Sequence, residues 1–337
     1  MKQEPRKHHY IPQFILRNFY NSNNLVNYWN IETSKLETRN TKKIFMNVDM
    51  YRSEQLNIDD PTQIEFNFSI FECEIAKLIA EKGFINSKEI VIRRDELEKL
   101  RIFISLLSFR SNFRMEQYKN SFFDPETKEI LMHYQPDGNF ENLWKNELNI
   151  LAKCRTYKQI KDSNEIDPIL KEEFLNDLKG YYMTIADARG GQFILSDIYP
   201  TFEAFQTQEA TITMHYLLPL SPTRLLLLNH IAFKKECSSN QLTKRMLDIS
   251  KIKGDLIETP KNKYDKGIVT SMDDEFVYKV KKIYEDDIIY VNELILNEAR
   301  VGIIFQDAKH IINSISSFNS KNDTKQNYLN LEKVLVK

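Results

Sequence analysis

Glycine is scarce in this chain, eight residues in 337. Loops that cradle phosphates or dinucleotides need glycines so that backbone N–H groups can close on the ligand. Neither Gly-x-x-x-x-Gly-Lys-Ser/Thr nor Gly-x-Gly-x-x-Gly occurs, and the Gly190-Gly191 pair reads as a turn. Cysteine is equally sparse. Cys73, Cys154 and Cys237 are far apart and odd in number, which excludes a disulfide scaffold and a zinc-type cysteine set and points to a reducing compartment. No Gly-x-Ser-x-Gly elbow and no His-Glu-x-x-His motif is found, so the best-known serine-hydrolase and zinc-protease signatures are missing. No apolar run approaches the ~20 residues that span a bilayer. Neither sign of charge is in excess, 47 basic against 48 acidic residues. That argues against a global electrostatic grip on nucleic acid and leaves room for a local one. The start, with Lys2, Glu4, Arg6 and Lys7, does not read as a secretory leader. A cytoplasmic protein with no membrane association is expected.

Apolar residues make up 42% of the chain, enough for a sizeable core. Pro12 suits the opening of a short helix with Phe14, Ile15, Leu16 and Phe19 as its apolar residues. Leu25 to Asn30 and Leu36 to Asn40 read as a two-stranded unit. Helical spacing predicts a helix from Ile64 to Lys82, stopped by Gly83, and a long helix from Asp95 to about Phe122. Further helices are predicted over Phe140 to Cys154, Ile166 to Asp177 and about Tyr290 to Ser314. Tyr181 to Ala186 and Gln192 to Ser196 read as a hairpin, and Thr211 to Leu218 with Thr223 to Asn229 as a second strand pair. The expected fold is α+β: a mainly helical single domain over residues 1–315, with a small antiparallel sheet inserted between helices. Residues 316–337 form an expected partly flexible tail.

Three segments carry a family resemblance. The first is His8-His9-Tyr10-Ile11-Pro12-Gln13-Phe14-Ile15-Leu16-Arg17-Asn18-Phe19. The second is Phe193-Ile194-Leu195-Ser196-Asp197-Ile198-Tyr199-Pro200, and the third is Leu218-Pro219-Leu220-Ser221-Pro222. In order and spacing they resemble bacterial domain-of-unknown-function family 4238 (DUF4238), and Arg110 fits an arginine that recurs in such chains. The resemblance implies a bacterial origin, a shared fold and no agreed activity. It also implies an accessory gene, with phage defence as the associated setting.

The polar residues of these segments suggest chemistry. A helix opening at Pro12 presents N–H groups and a positive dipole end to anions. Gln13 and Arg17 share a face, and Arg17 supplies a fork for phosphate. His9 is the candidate proton carrier. His8, next to it, should face the other way. Asp197, with Ser196 beside it, ends a strand, where it can orient a histidine, bind a divalent cation or pair with Arg17. Glu72 is a candidate third carboxylate. The catalytic candidates are therefore His9 and Asp197; the substrate-binding candidates are His8, Gln13, Arg17, Ser196 and Arg110. No metal ligand set is assigned, although Mg²⁺ or Mn²⁺ fits the chemistry. The expected activity is phosphodiester cleavage of RNA or DNA. The alternative is a non-catalytic protein that binds a nucleotide, a phosphate ligand or a partner. Structural roles compete with all of this: His9 as a helix cap, and Arg17 with Asp197 as a buried ion pair.

Overall fold

The computed structural model of the chain describes residues 6–54, 60–166, 168, 171, 174, 180–206, 211–230, 271–322 and 326–336. The predicted helix over Ile166 to Asp177 lies largely outside these residues, and Cys237 wholly so. In chain order the first elements are β1 (Lys7–His9), α1 (Gln13–Arg17), β2 (Val26–Asn30), β3 (Lys35–Arg39), β4 (Met46–Val48), α2 (Gln63–Glu81) and β5 (Glu89–Arg93). A helical stretch follows: α3 (Arg94–Phe109), α4 (Asn112–Lys119), α5 (Pro125–Tyr134), α6 (Phe140–Leu151) and α7 (Tyr157–Asp162). Strands then dominate: β6 (Tyr181–Ala188), β7 (Leu195–Ser196), β8 (Thr201–Gln206), β9 (Thr211–Ser221), β10 (Arg224–His230), β11 (Glu275–Lys279) and β12 (Lys281–Ile283). The chain closes with α8 (Glu285–Glu298), β13 (Gly302–Phe305), α9 (Ile312–Lys321) and α10 (Gln326–Leu335).

These elements form two compact units, each assembled from three chain segments. The first comprises Met1–Pro12, Phe45–Leu78 and Asp95–Lys179; the second comprises Gln13–Ile44, Ile79–Arg94 and Gly180–Lys337.

The first unit is helical, with one short ribbon. β1 pairs antiparallel with β4, His8 opposite Asn47 and His9 opposite Met46. Its core is aromatic: Tyr51 packs against Phe68 and Trp144 at ring separations of 5.0 and 6.0 Å, and Phe71 against Phe103 at 5.4 Å. Such pairs add to the stabilisation from burying the rings themselves. The predicted Asp95–Phe122 helix is two helices. Ser111 takes extended backbone and its side chain accepts from the Arg114 N–H, capping a new start after α3. A serine hydroxyl competes for backbone donors in this way, which is why serine favours helix starts. The break sets Arg110 at the junction, where its side chain turns into the core.

The second unit carries most of the strands. The order β12-β6-β10-β9-β8 makes a five-stranded sheet, and β3-β2-β13-β7 a four-stranded one. β11 pairs with β5, and β12 runs parallel to β6. The continuous apolar run Leu225 to Leu228 suits the central strand β10, buried on both faces. Trp29, Phe193, Leu227, Ile295, Ile303 and Phe305 belong to one core shared by both larger sheets and α8.

Three expectations are corrected here. The sheet is not a small insert in a mainly helical domain: among the described residues there are four sheets, and the largest has five strands. The Tyr181–Ser196 hairpin does not form. β6 pairs with β10, whereas β7 pairs with β13 in the other large sheet. Both strands pair with segments distant in the chain instead of with each other. Likewise, the predicted Tyr290–Ser314 helix is interrupted by β13, whose Ile303, Ile304 and Phe305 are fully buried.

Candidate functional site

The first unit holds a cluster of charge inside its aromatic core. Glu65, Phe68 and Glu72 are spaced i, i+3, i+7 on α2 and so share one face. Arg110, only 1% exposed, lies with its guanidinium 4.7 Å over the Phe68 ring. Its Nη2 donates to Glu72 Oε1 at 2.6 Å, and its Nε donates to the Tyr10 carbonyl at 3.3 Å. Tyr51 closes the cluster: its hydroxyl donates to the Arg110 carbonyl at 3.0 Å. Its backbone N–H donates to His8 Nδ1 at 2.9 Å, and the two rings stack at 5.5 Å.

Electrostatics sort these groups. Burial works against the Arg110 charge, but Glu72, Tyr51 and Glu65 outweigh it and hold the guanidinium above its ordinary pKa. Burial pushes the Tyr51 hydroxyl up strongly. Glu65 is the informative member. Its carboxyl makes no hydrogen bond to another described residue, and burial, helped by the Glu72 charge, raises it from the ordinary 4.5 to about 7 against the pull of Arg110. A carboxyl poised near neutrality beside a fixed ion pair can take up and release a proton at physiological pH.

The sequence-predicted residues are distributed over both units. His8 is fully buried within this cluster. His9 is half-buried and leaves β1 on the opposite side from His8, as strand alternation requires. Gln13 is engaged at both ends by Thr41: its Nε2 donates to the Thr41 carbonyl and its Oε1 accepts from the Thr41 hydroxyl, both at 2.9 Å. Arg17 is exposed at the end of α1. Ser196 Oγ donates to the Ile198 carbonyl at 3.1 Å and accepts from the Ile198 N–H at 3.3 Å. Asp197 is buried, and its Oδ1 accepts from the N–H groups of Arg300, Val301 and Gly302 at 2.9–3.2 Å. Burial pushes its pKa up while these three donors pull the other way. His9 thus belongs to the first unit; Gln13, Arg17, Ser196 and Asp197 belong to the second.

The second unit has its own polar row, crossing four strands of the large sheet. Glu203 lies opposite His215, His215 Nδ1 meets Asn229 Oδ1 at 3.0 Å, and Asn229 Nδ2 donates to Thr184 at 2.8 Å. Tyr290 donates to Glu203 at 2.8 Å. Burial drives His215 down to about 3, so it stays neutral and ties strands together. In the first unit a polar cleft of about 350 Å³ is lined by Asn47, Asp49, Asn112, Glu116, Lys119 and Glu141, among others. Among the described residues no group of three or more His, Cys, Asp or Glu side chains converges as a metal site, and no helix is long and apolar enough to cross a membrane.

Glu65, Tyr51 and the cleft residues escaped the sequence reading. One signal for Glu65 was available: its seven-residue spacing from Glu72, bracketing Phe68, puts two carboxylates on the apolar face of a core helix. The family of proteins of unknown function DUF4238 matches residues 7–309, so the chain belongs to it. No curated protein and no solved structure matches the chain.

Proposed function

We propose that this chain is an acid–base hydrolase of phosphodiester bonds, with Glu65 as its proton-carrying group. One observation carries the reading: a half-buried carboxyl, with no hydrogen bond among the described residues, raised to about 7, next to the Glu72–Arg110 ion pair at 2.6 Å. Enzymes tune a carboxyl upward in this way so that it can act as base and acid near pH 7. In the proposed step, ionised Glu65 takes the proton of the attacking hydroxyl or water as the new P–O bond forms. The protonated carboxyl then returns that proton to the leaving oxygen as the old P–O bond breaks. Burial and the Glu72 charge hold the Glu65 carboxyl up against the pull of Arg110. His9 leaves β1 on the side away from this cluster, so Glu65 carries the proton in both directions. Asp197 and Gln13 have no part in this step, because backbone N–H groups and Thr41 engage them.

The test is incubation of the full chain with RNA and with DNA, alone and with Mg²⁺ or Mn²⁺. Wild type should cleave, and Glu65→Gln should lose about 100-fold or more of the rate. No cleavage by wild type in any arm overturns the reading. A second reading, ligand binding without turnover, is favoured by the polar cleft; it gives ligand-dependent thermal stabilisation and no cleavage. The proposed cellular setting is phage defence: phage should plaque less efficiently on cells carrying wild type than on cells carrying Glu65→Gln.

A further inference from the structure

We infer that the cleft of the first unit is a recognition site for a nucleobase that bears an amino group. The inference deepens the phosphodiester reading and rests on it for the identity of the substrate.

The cleft lies between the turn after β4, α4 and α6. Asn47 Nδ2 donates to Asn112 Oδ1. This pairing uses one donor and one acceptor, and the Asn47 carbonyl oxygen and the Asn112 amino group, on two residues that line the cleft, have no further partner among the described residues. Exchanging O and N in both amides reverses the bond but leaves the same complement, one acceptor beside one donor. That complement fits any base edge with a donor beside an acceptor: the amino group and ring nitrogen of adenine or cytosine, or the N–H and carbonyl of guanine or uracil. Only an amino group has a second hydrogen to give to a further acceptor, and uracil has none.

The carboxylates point to the same ligand. Asp49 is bound by the Arg6 guanidinium through both oxygens. Glu141 Oε1 accepts from Lys145 at 2.6 Å, and Glu116 Oε2 accepts from Asn120 at 2.9 Å. Each of the two glutamates keeps its other oxygen, an acceptor suited to an exocyclic amino group. The same charges repel phosphate, so a nucleotide enters base first. Lys119, exposed among the lining residues, is the cation that would meet its phosphate. Met115 supplies a polarisable apolar contact for the ring. A volume of about 350 Å³ matches a small ligand.

Chain connectivity links cleft and charge cluster. Residues 47–50 lead directly into Tyr51, and Arg110 is followed within two residues by Asn112. The segments that would grip the base therefore also carry two groups of the proposed acid–base centre.

Titration calorimetry of the full chain with cytidine, adenosine and uridine tests this, with inorganic phosphate and spermidine as controls. Cytidine or adenosine should bind at least tenfold more tightly than uridine. Asn112→Asp, which replaces the free donor with a charge, should weaken that binding tenfold or more while circular dichroism and melting temperature show a folded protein. Glu65→Gln should bind as wild type does, which separates recognition from turnover. The inference is overturned if uridine binds equally well, if no nucleoside saturates the protein, or if folded Asn112→Asp binds as wild type. It is also overturned if spermidine competes fully, since the cleft would then be an electrostatic trap for amines. Nucleoside binding by a chain that cleaves nothing would leave this site standing and remove the proposed hydrolase.

Discussion

Glu65 couples stability to pH in a direction opposite to most surface carboxylates. Its pKa rises from the ordinary 4.5 to about 7 on folding, with burial as the main cause. Below about pH 4.5 both folded and unfolded chains hold the proton, and the site costs nothing. Between about 4.5 and 7 the folded state keeps a proton that the unfolded state has released, so stability falls as pH rises; above 7 the loss is complete. After discounting for partial solvent contact, the loss is on the order of 2 kcal/mol. Glu65→Gln should therefore be more stable than wild type by that order at pH 8 and no different at pH 4, as read from urea unfolding at the two pH values. A stability gain alongside an activity loss is the signature of a strained functional group. Glu72 behaves differently. Glu72→Ala strands the buried Arg110 charge and should cost about 3 kcal/mol. Glu72→Gln keeps an acceptor for Arg110 but removes the charge that raises Glu65, so the limb of the pH–rate profile near 7 should move to lower pH.

Junctions between elements explain several polar residues of the recognisable segments. Asp197 follows β7 and gathers three N–H groups from the turn between α8 and β13. Asp197→Ala should cost about 2–3 kcal/mol, because three backbone donors lose their acceptor, one of them buried, whereas Asp197→Asn keeps one acceptor oxygen and should cost less than about half of that. Chemical denaturation of both variants checks the order. Gly302 opens β13 against β2. A Cβ there would sit 2.6 Å from the Tyr28 ring and 2.7 Å from the Trp29 carbonyl oxygen, closer than side chains tolerate. Gly302→Ala should destabilise by about 2 kcal/mol or more, since the obstruction includes backbone that cannot rotate away. The α3–α4 junction is the functional counterpart. Ser111 ends one helix and starts the next, and Arg110 is free to turn inward only because the helix stops there.

At the level of the molecule, each unit contains one of the chain's two tryptophans, Trp144 in the first and Trp29 in the second, both fully buried. Single Trp→Phe variants thus give a separate fluorescence report from each unit. Added to the variant that retains Trp144, Glu72→Ala should lower its unfolding midpoint. The amino-acid sequence by itself determined the helix over α2 and its glycine stop, the β9–β10 pair, the family and the opposite facing of His8 and His9. These follow from spacing, caps and alternation, all of which act within a few residues. The tertiary structure decided what local patterns do not encode. It paired β6 with β10 rather than β7, and it hid β13 inside a helical-looking run. It also placed Arg110 beneath Glu72, 38 residues away in sequence, and it buried Glu65 beside the Glu72 charge, which raises its carboxyl against the pull of Arg110. A pKa shift or a strand partner depends on groups brought close by burial, and that proximity exists only once the distant segments have packed.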